Sequence, residues 1–119
     1  MAVTIKSLYK AQLGTTEADL YGPASGKAAI VKSIRLVNTG SSPVTVNLFV
    51  KRAAASSQPG GGLRILPKDC SLAPGAALID DSEVTLEYVS SSNIDFVRGC
   101  ASAATTVDCV ISGVERDQS

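Results

Sequence analysis

Apolar and polar residues alternate along two β-branched runs on either side of residues 38–43. A period of two is typical of a half-buried strand. Residues 38–43 contain Asn, Gly, Ser and Pro, which supply the hydrogen bonds and backbone angles of a turn. The pattern predicts a β-hairpin over residues 27–52, with Phe49 on its outer face. The inner face of its second strand is apolar throughout: Val44, Val46, Leu48 and Val50.

Short alternating runs recur along the rest of the chain, separated by turn signals at intervals of about 8–12 residues. No stretch keeps a helical period for three turns. We therefore predict an all-β fold, a two-sheet β-sandwich of about eight short strands for which a jelly roll is one form. The alternation leaves the strand order open. Outside the hairpin, extended segments are expected within residues 5–13, 18–21, 63–66, 70–72, 77–79, 84–89, 94–98 and 106–114, with 77–79 resuming the strand of 70–72 after a turn.

The length of 119 residues predicts one domain, spanning 1–119. Hydrophobic residues make up 45% of the chain and aromatic residues only 4%, so we expect a core of Val, Ile, Leu and Ala. Residues 53–62 are small and polar with no apolar anchor, and they predict a mobile loop. The charged residues 115–119 predict a frayed tail.

The formal net charge is zero, and nothing in that total predicts binding to nucleic acid or to a membrane. The distribution is uneven. Residues 1–68 hold nine basic and two acidic residues, whereas residues 69–119 hold two basic and nine acidic residues. One interpretation is a subunit with oppositely charged surfaces that suit head-to-tail contact between copies. The other is that strands from both parts interleave, so that the asymmetry averages out.

The N-terminal residues 1–6 lack the apolar core of a signal peptide, and no apolar run approaches the ~20 residues of a membrane span. We therefore expect synthesis in a cytosol without secretion by that route. The cysteines Cys70, Cys100 and Cys109 lack a Cys-x-x-Cys spacing and are odd in number, which favours buried thiols. A Cys100–Cys109 bridge is the alternative.

The chain contains no histidine, which removes the commonest general base and a frequent metal ligand. Residues 22–28 differ from a phosphate-binding loop in glycine spacing, in Ala28 and in the strand that follows, so they predict a turn. The carboxylates of residues 80–83 predict a solvated turn rather than a cation site. We accordingly predict no catalytic, cofactor-binding or metal-binding residues, and a protein that is not an enzyme.

Three segments carry a resemblance to a known class of proteins: residues 8–13, 23–39 and 105–115. Together they span nearly the whole chain. These segments are predicted turns and strands, and their sequences resemble those of small virion proteins of tailed bacteriophages. Members often carry an Ala-Gly-Asp turn in the later half, where this chain has residues 90–95 instead.

The resemblance implies a structural subunit of the virion, assembled in the cytoplasm of the bacterial host. The first placement is a capsid decoration, or cement, protein: a homotrimer that clamps subunits of the major capsid protein. The alternative placement is a component of the tail or of a receptor-binding appendage. A small ligand-binding module is a third class, for which Tyr9, Tyr21 and Tyr88 are the only polar aromatic residues.

Under the cement interpretation, exposed strand edges and loops would contact the partner. We expect the N-terminal residues 2–6 and the loop 53–62 to be contact elements. The basic pair Lys51 and Arg52 also suits a strand edge that charge keeps from pairing. The candidate partner contacts are Lys6, Lys32, Arg35, Lys51, Arg52, Ser57 and Gln58.

Overall fold

The computed structural model of the chain describes residues 3–52, 63–81 and 83–117. This part of the chain forms ten strands and no helix, so it contains no helix that could cross a membrane. The all-β prediction is confirmed. The strands are β1 (Val3–Gln12), β2 (Ala18–Tyr21), β3 (Lys27–Asn38), β4 (Val44–Arg52), β5 (Leu63–Arg64), β6 (Cys70–Leu72), β7 (Ala77–Asp80), β8 (Val84–Ser90), β9 (Asn93–Ala101) and β10 (Val107–Asp117).

All the described strand pairs are antiparallel, and they form one continuous path, β1-β10-β3-β8-β9-β4-β5. Three short strands join this path from the side: β7 pairs with β3, β2 with β9, and β6 with β4. The sequence predicted two separate sheets, whereas the described strands form one continuous sheet. We name the group β1, β10, β3, β7 and β8 the β3 half, and the group β2, β9, β4, β5 and β6 the β4 half.

Each half buries one face, and the buried side chains of both halves belong to a single apolar cluster. The halves therefore fold toward each other across the β8–β9 link. Alternation along each strand decides which residues enter the cluster, because successive side chains of a strand point to opposite faces. Fully buried members include Val31, Ile34, Leu36, Val107 and Ile111 in the β3 half, and Val46, Leu48 and Val97 in the β4 half.

The predicted hairpin is wrong. Strand β3 pairs with β10, β7 and β8, whereas β4 pairs with β9, β5 and β6, so the two runs never pair with each other. The chain instead crosses from one half to the other just after Asn38. The Asn38 side chain is fully buried there, and its Nδ2 donates to the carbonyl oxygens of Ser42 at 2.9 Å and Leu72 at 3.0 Å. The Gly40 amide donates to Asn38 Oδ1 at 2.9 Å.

A β-bulge shifts the alternation in the middle of β3. The register with β10 slips between Ser112 and Gly113, so that Val31 and Ile34 both face the core although three positions separate them. An extra residue in one strand of a pair produces such a shift. Gly113 lies at the same place, where a Cβ atom would come within 2.3 Å of the Ile30 carbonyl oxygen. Only glycine permits this close approach of β10 to β3.

The expected frayed tail is also wrong for residues 115–117, because β10 continues through Asp117. Tyr21 Oη donates to Glu115 Oε2 at 2.5 Å, and Lys27 forms an ion pair with Asp117. These contacts fix the end of β10 against β2 and β3. Residues 118 and 119 and the expected mobile loop, residues 53–62, lie outside the described part of the chain.

All three cysteines are free thiols, so the Cys100–Cys109 alternative is wrong. Cys109 faces the core from β10, and its burial raises its pKa to about 12. Cys100 is half-buried on the outer face of β9, beside Asn47 in the register of β4. The Cys109 sulfur therefore points into the core and the Cys100 sulfur points away from it.

Candidate interaction surfaces

The ion pairs show that the basic first part and the acidic second part of the chain interleave. Lys6 on β1 lies 3.3 Å from Glu115 on β10. Lys32 on β3 pairs with Glu83, and Arg52 on β4 pairs with Asp95 on β9. Neighbouring strands thus supply opposite charges to each other. The uneven distribution of charge along the sequence is therefore averaged out in the fold, as the second interpretation expected.

The described candidate contact residues do not converge on one surface. Lys32 and Arg35 lie on the outer side of the β3 half, whereas Lys51 and Arg52 lie on β4. Within the described residues, exposed Arg35 has no ion pair with a carboxylate. The remaining candidates, Ser57 and Gln58, lie outside the described residues.

Lys51 and Arg52 pair with β9, whereas the described strands β5 and β6 pair with other residues of β4, so the interpretation of this pair as a charged strand edge stays a prediction. Arg52 Nε donates to Asp95 Oδ1 at 2.7 Å, and its Nη2 donates to Oδ2 at 3.0 Å. The same nitrogen donates to Glu87 Oε1 at 3.1 Å. Arg52 therefore has a structural role at the link between the two halves.

The tyrosines that a ligand-binding module would use are all half-buried. Tyr9 and Tyr21 pack against the apolar cluster, and the Tyr21 hydroxyl is held by Glu115. The structure therefore neither buries all three rings nor fully exposes any of them. Within the described residues, no group of three or more His, Cys, Asp or Glu side chains could hold a metal ion.

The turn expected before β3 is present. The Lys27 amide donates to the Ala24 carbonyl oxygen at 2.9 Å, and Gly26 has a positive φ of 75°. Strand β3 follows directly. In the carboxylate segment, Asp80 ends β7, Asp81 is exposed and Glu83 pairs with Lys32.

The outer face of the β4 half is covered by its own side chains. Arg98 lies 3.0 Å from Glu17 and 2.7 Å from Asp19 in two ion pairs. The Arg64 guanidinium lies 4.7 Å from the centre of the Phe49 ring, which is on the outer face as predicted but only 6% exposed. These contacts leave little apolar surface for a partner on this side.

Strand β1 presents a long open edge. Among the described strands β1 pairs with β10 alone, through nine of its ten residues, since Leu8 lies at a bulge; the Ile5 side chain is 88% exposed. The Leu13 amide donates to Val107 on β10 at 3.0 Å. Because main-chain groups alternate in direction along a strand, those of Ala11 also point to β10. The main-chain groups of Lys10 and Gln12 therefore point to the open side.

The outer face of the β3 half is a second surface, and sequence reasoning missed it. Its centre is β10, whose outward residues are Asp108, Val110, Ser112, Val114 and Arg116. In the sequence, Val110 broke the strict alternation of the last strand; in the structure it lies half-buried on the outer face. The sequence did contain a signal for this surface: alternate residues along β10 form a second face. Beside them a groove of about 400 Å³ lies over Ala28, between Arg116 and Glu87.

No known protein family and no curated protein matches the chain. Among solved structures, one similar chain comes from work described as "Bacillus endospore appendages form a novel family of disulfide-linked pili". It is 16% identical, the match covers 99% of this chain and 90% of that chain, and the TM-score is 0.49. No family assignment follows. This similarity is too weak to carry a function across, and no comparison supports a capsid decoration protein.

Proposed function

We propose that the protein is a non-enzymatic structural subunit of a larger assembly, to which further subunits add along the open edge of β1. The observation that carries this proposal is the ten-residue edge itself. A long exposed edge strand offers unpaired main-chain donors and acceptors to another chain. An extended segment that joins such an edge gains main-chain hydrogen bonds along its length.

The opposite edge of the β3 half supports addition between copies of the same chain. There β7 pairs only with β3 among the described strands, and it runs antiparallel to β3. Since β1 and β3 both run antiparallel to β10, the β1 of a second copy would run antiparallel to β7. Contact between two different edges leaves one edge of each copy free for the next, which gives a ring or a filament.

Charge complementarity favours the same contact. Strand β1 carries exposed Lys10, and exposed Asp81 directly follows β7. Neither Lys10 nor Asp81 has an ion pair with another described residue. Opposite charges at a contact guide its orientation more than they strengthen it.

We place the subunit in a tail or receptor-binding appendage of a phage particle rather than on the capsid shell. A location on a phage particle is supported by the resemblance of residues 8–13, 23–39 and 105–115 to virion proteins. Repeated addition along edges suits an extended appendage when the contact does not close into a ring, whereas a homotrimer on the major capsid protein needs a contact that closes after three copies. The lack of histidine supports a role without catalysis.

A proline at position 10 tests the edge contact. Lys10→Pro removes an amide that points to the open side and leaves the hydrogen bonds of Ala11 to β10 in place. Lys10→Ala is the matched control, since it removes the same side chain and keeps the amide. We expect electron microscopy and light scattering to show assemblies for wild type and Lys10→Ala, and their loss for Lys10→Pro at an unchanged circular dichroism spectrum. Equal assembly of all three proteins would contradict the edge contact.

A further inference from the structure

The outward residues of β10 have the same chemical order from either end, except that the two charges are opposite. Asp108, Val110, Ser112, Val114 and Arg116 give acid, valine, serine, valine and base. They share one face because alternate residues of a strand do so. A pattern of this kind is complementary to its own reverse.

The two charges at the ends of this pattern cannot reach each other within one chain. Eight residues separate Asp108 from Arg116, which is about 26 Å along a strand. Both are exposed, and neither has an ion pair among the residues that the structure describes. Asp108 accepts one hydrogen bond, from Gln12 Nε2 at 3.0 Å.

We propose that the outer face of the β3 half packs against the same face of a second copy, about a two-fold axis beside Ser112. In this arrangement the two β10 strands stack antiparallel. Asp108 of one copy then lies over Arg116 of the other, and Val110 lies over Val114. A two-fold contact uses one patch twice, so each of these contacts occurs twice. Sheets that stack in this way lie about 10 Å apart, with side chains between them.

The residues at the axis allow this packing. Ser112 lies between Ser7 on β1 and Ser33 on β3 in the strand register, so a row of serines crosses three strands. A residue on a two-fold axis meets its own copy, and a charged or bulky residue there would repel itself. The serine row avoids both problems, and the charge of Lys32, the exposed bulge residue beside Ser33, is balanced by its ion pair with Glu83.

The residues of β3 also suit the proposed two-fold arrangement. Val37 lies beside Asp108, and Ala28 lies beside Arg116. The two-fold axis therefore places Val37 of the second copy over Ala28, where the groove of about 400 Å³ is open. In the adjoining row the same axis places Val110 over Val114 and the aliphatic part of the Arg35 side chain over Ile30. Burial of these side chains supplies the attraction, and the charge pairs select the orientation.

This inference goes beyond the edge contact of the proposed function, because it uses a face and not an edge. Lys10 lies beside Val110 on this face, so Lys10→Ala, which keeps the amide, shows whether loss of the Lys10 side chain alters the dimer. Lys10→Pro should leave the contacts of β10 and β3 in the face intact and dimerise as Lys10→Ala does. Failure of the edge proposal would appear as assembly that Lys10→Pro does not alter, whereas failure of the face proposal would appear as the absence of a dimer in that same variant. The two outcomes can therefore be told apart.

Charge exchange tests the face contact. We would measure the dimer dissociation constant by analytical ultracentrifugation in the Lys10→Pro background, for Asp108→Arg, for Arg116→Asp and for the double exchange. Each single change sets like charges against each other twice, and we expect dimerisation at least about tenfold weaker. The double exchange restores opposite charges and should return the constant to within about threefold of its starting value.

The control is Lys68→Glu, an exposed residue before β6 that changes the net charge as Arg116→Asp does. It should leave the dissociation constant unchanged. A background protein that stays monomeric up to about 1 mM would overturn the proposal, since that concentration corresponds to a very weak contact. A double exchange that stays as weak as the single changes would also overturn it. Circular dichroism spectra confirm that each variant is folded.

Discussion

Arg52 and Asp95 form a two-point ion pair across β4 and β9, with distances of 2.7 Å from Nε to Oδ1 and 3.0 Å from Nη2 to Oδ2. Asp95 Oδ2 also accepts the Glu87 amide of β8 at 2.9 Å. One carboxylate thus connects three strands at the link between the two halves. Its side chain is 8% exposed, so water can replace little of what Arg52 provides.

We expect Arg52→Met to lower the free energy of unfolding by about 2–4 kcal/mol. Removal of one partner leaves a nearly buried carboxylate without its cation, which costs more than a surface pair. The value lies below the full cost of a buried pair because Arg52 is itself 33% exposed. Urea denaturation measures the change. Lys32→Met is the control, since its exposed pair with Glu83 should contribute less than about 1 kcal/mol. Equal losses in both variants would contradict the structural role of Arg52.

Asn38 is expected to be as sensitive, because its buried amide bonds the turn that carries the chain between the halves. Asn38→Ala removes two donors and one acceptor and leaves the buried Leu72 carbonyl oxygen without that bond. We expect a loss of about 2–4 kcal/mol in the free energy of unfolding. Thermal and urea unfolding check it. Thr39→Ala, an exposed neighbour with one hydroxyl bond to Thr106, is the control and should lose about 1 kcal/mol or less.

The hydrogen bond between Tyr21 and Glu115 predicts that the protein is less stable in acid. The Tyr21 hydrogen bond, and then the contact with Lys6, lower the pKa of Glu115 below its ordinary value of 4.5. A carboxylate whose pKa is lower in the folded protein than in the unfolded chain stabilises the fold. This stabilisation is complete when the pH is above the unfolded-state pKa, and it is lost as the pH falls through the folded-state pKa. The free energy of unfolding should therefore fall as the pH drops below about 4.5.

Tyr21→Phe removes this hydrogen bond and keeps the ring. We expect a loss of about 1–2 kcal/mol at pH 7, since the acceptor is a charged group. The loss should shrink as the pH falls through the pKa of Glu115, because protonation removes the charge that the Tyr21 hydroxyl contacts. Urea denaturation at a series of pH values measures both effects. A difference between wild type and variant that stays constant from pH 7 to pH 3 would show that the Glu115 charge is not involved.

Local alternation predicted which residues form strands and which face the core, as Val44, Val46 and Leu48 illustrate. It could not predict the partner of a strand. Strands β3 and β4 each have an apolar face that must be buried, and a hairpin or a crossing between halves satisfies that requirement equally. The bulge at Lys32 and Ser33 was also hidden, because its position depends on the pairing with β10.

The candidate surfaces depend on contacts that are distant in the sequence. The alternation placed Arg52 on a strand, but its partner Asp95 lies 43 positions away, and no local pattern indicates that pair. The outer face of β10 was present in the sequence as alternate residues from Asp108 to Arg116. It was missed because Val110 was interpreted as an interruption of the inner face. Exposure to solvent, which the structure supplies, distinguishes the two.

Cryo-electron microscopy of the assembled protein tests the central claim most directly. The account predicts that β1 is hydrogen-bonded on both sides in the assembly, to β10 of its own chain and to an edge strand of a neighbouring subunit. Density for that second strand beside Lys10 and Gln12 is the expected result. An assembly in which the open side of β1 faces solvent would contradict the account.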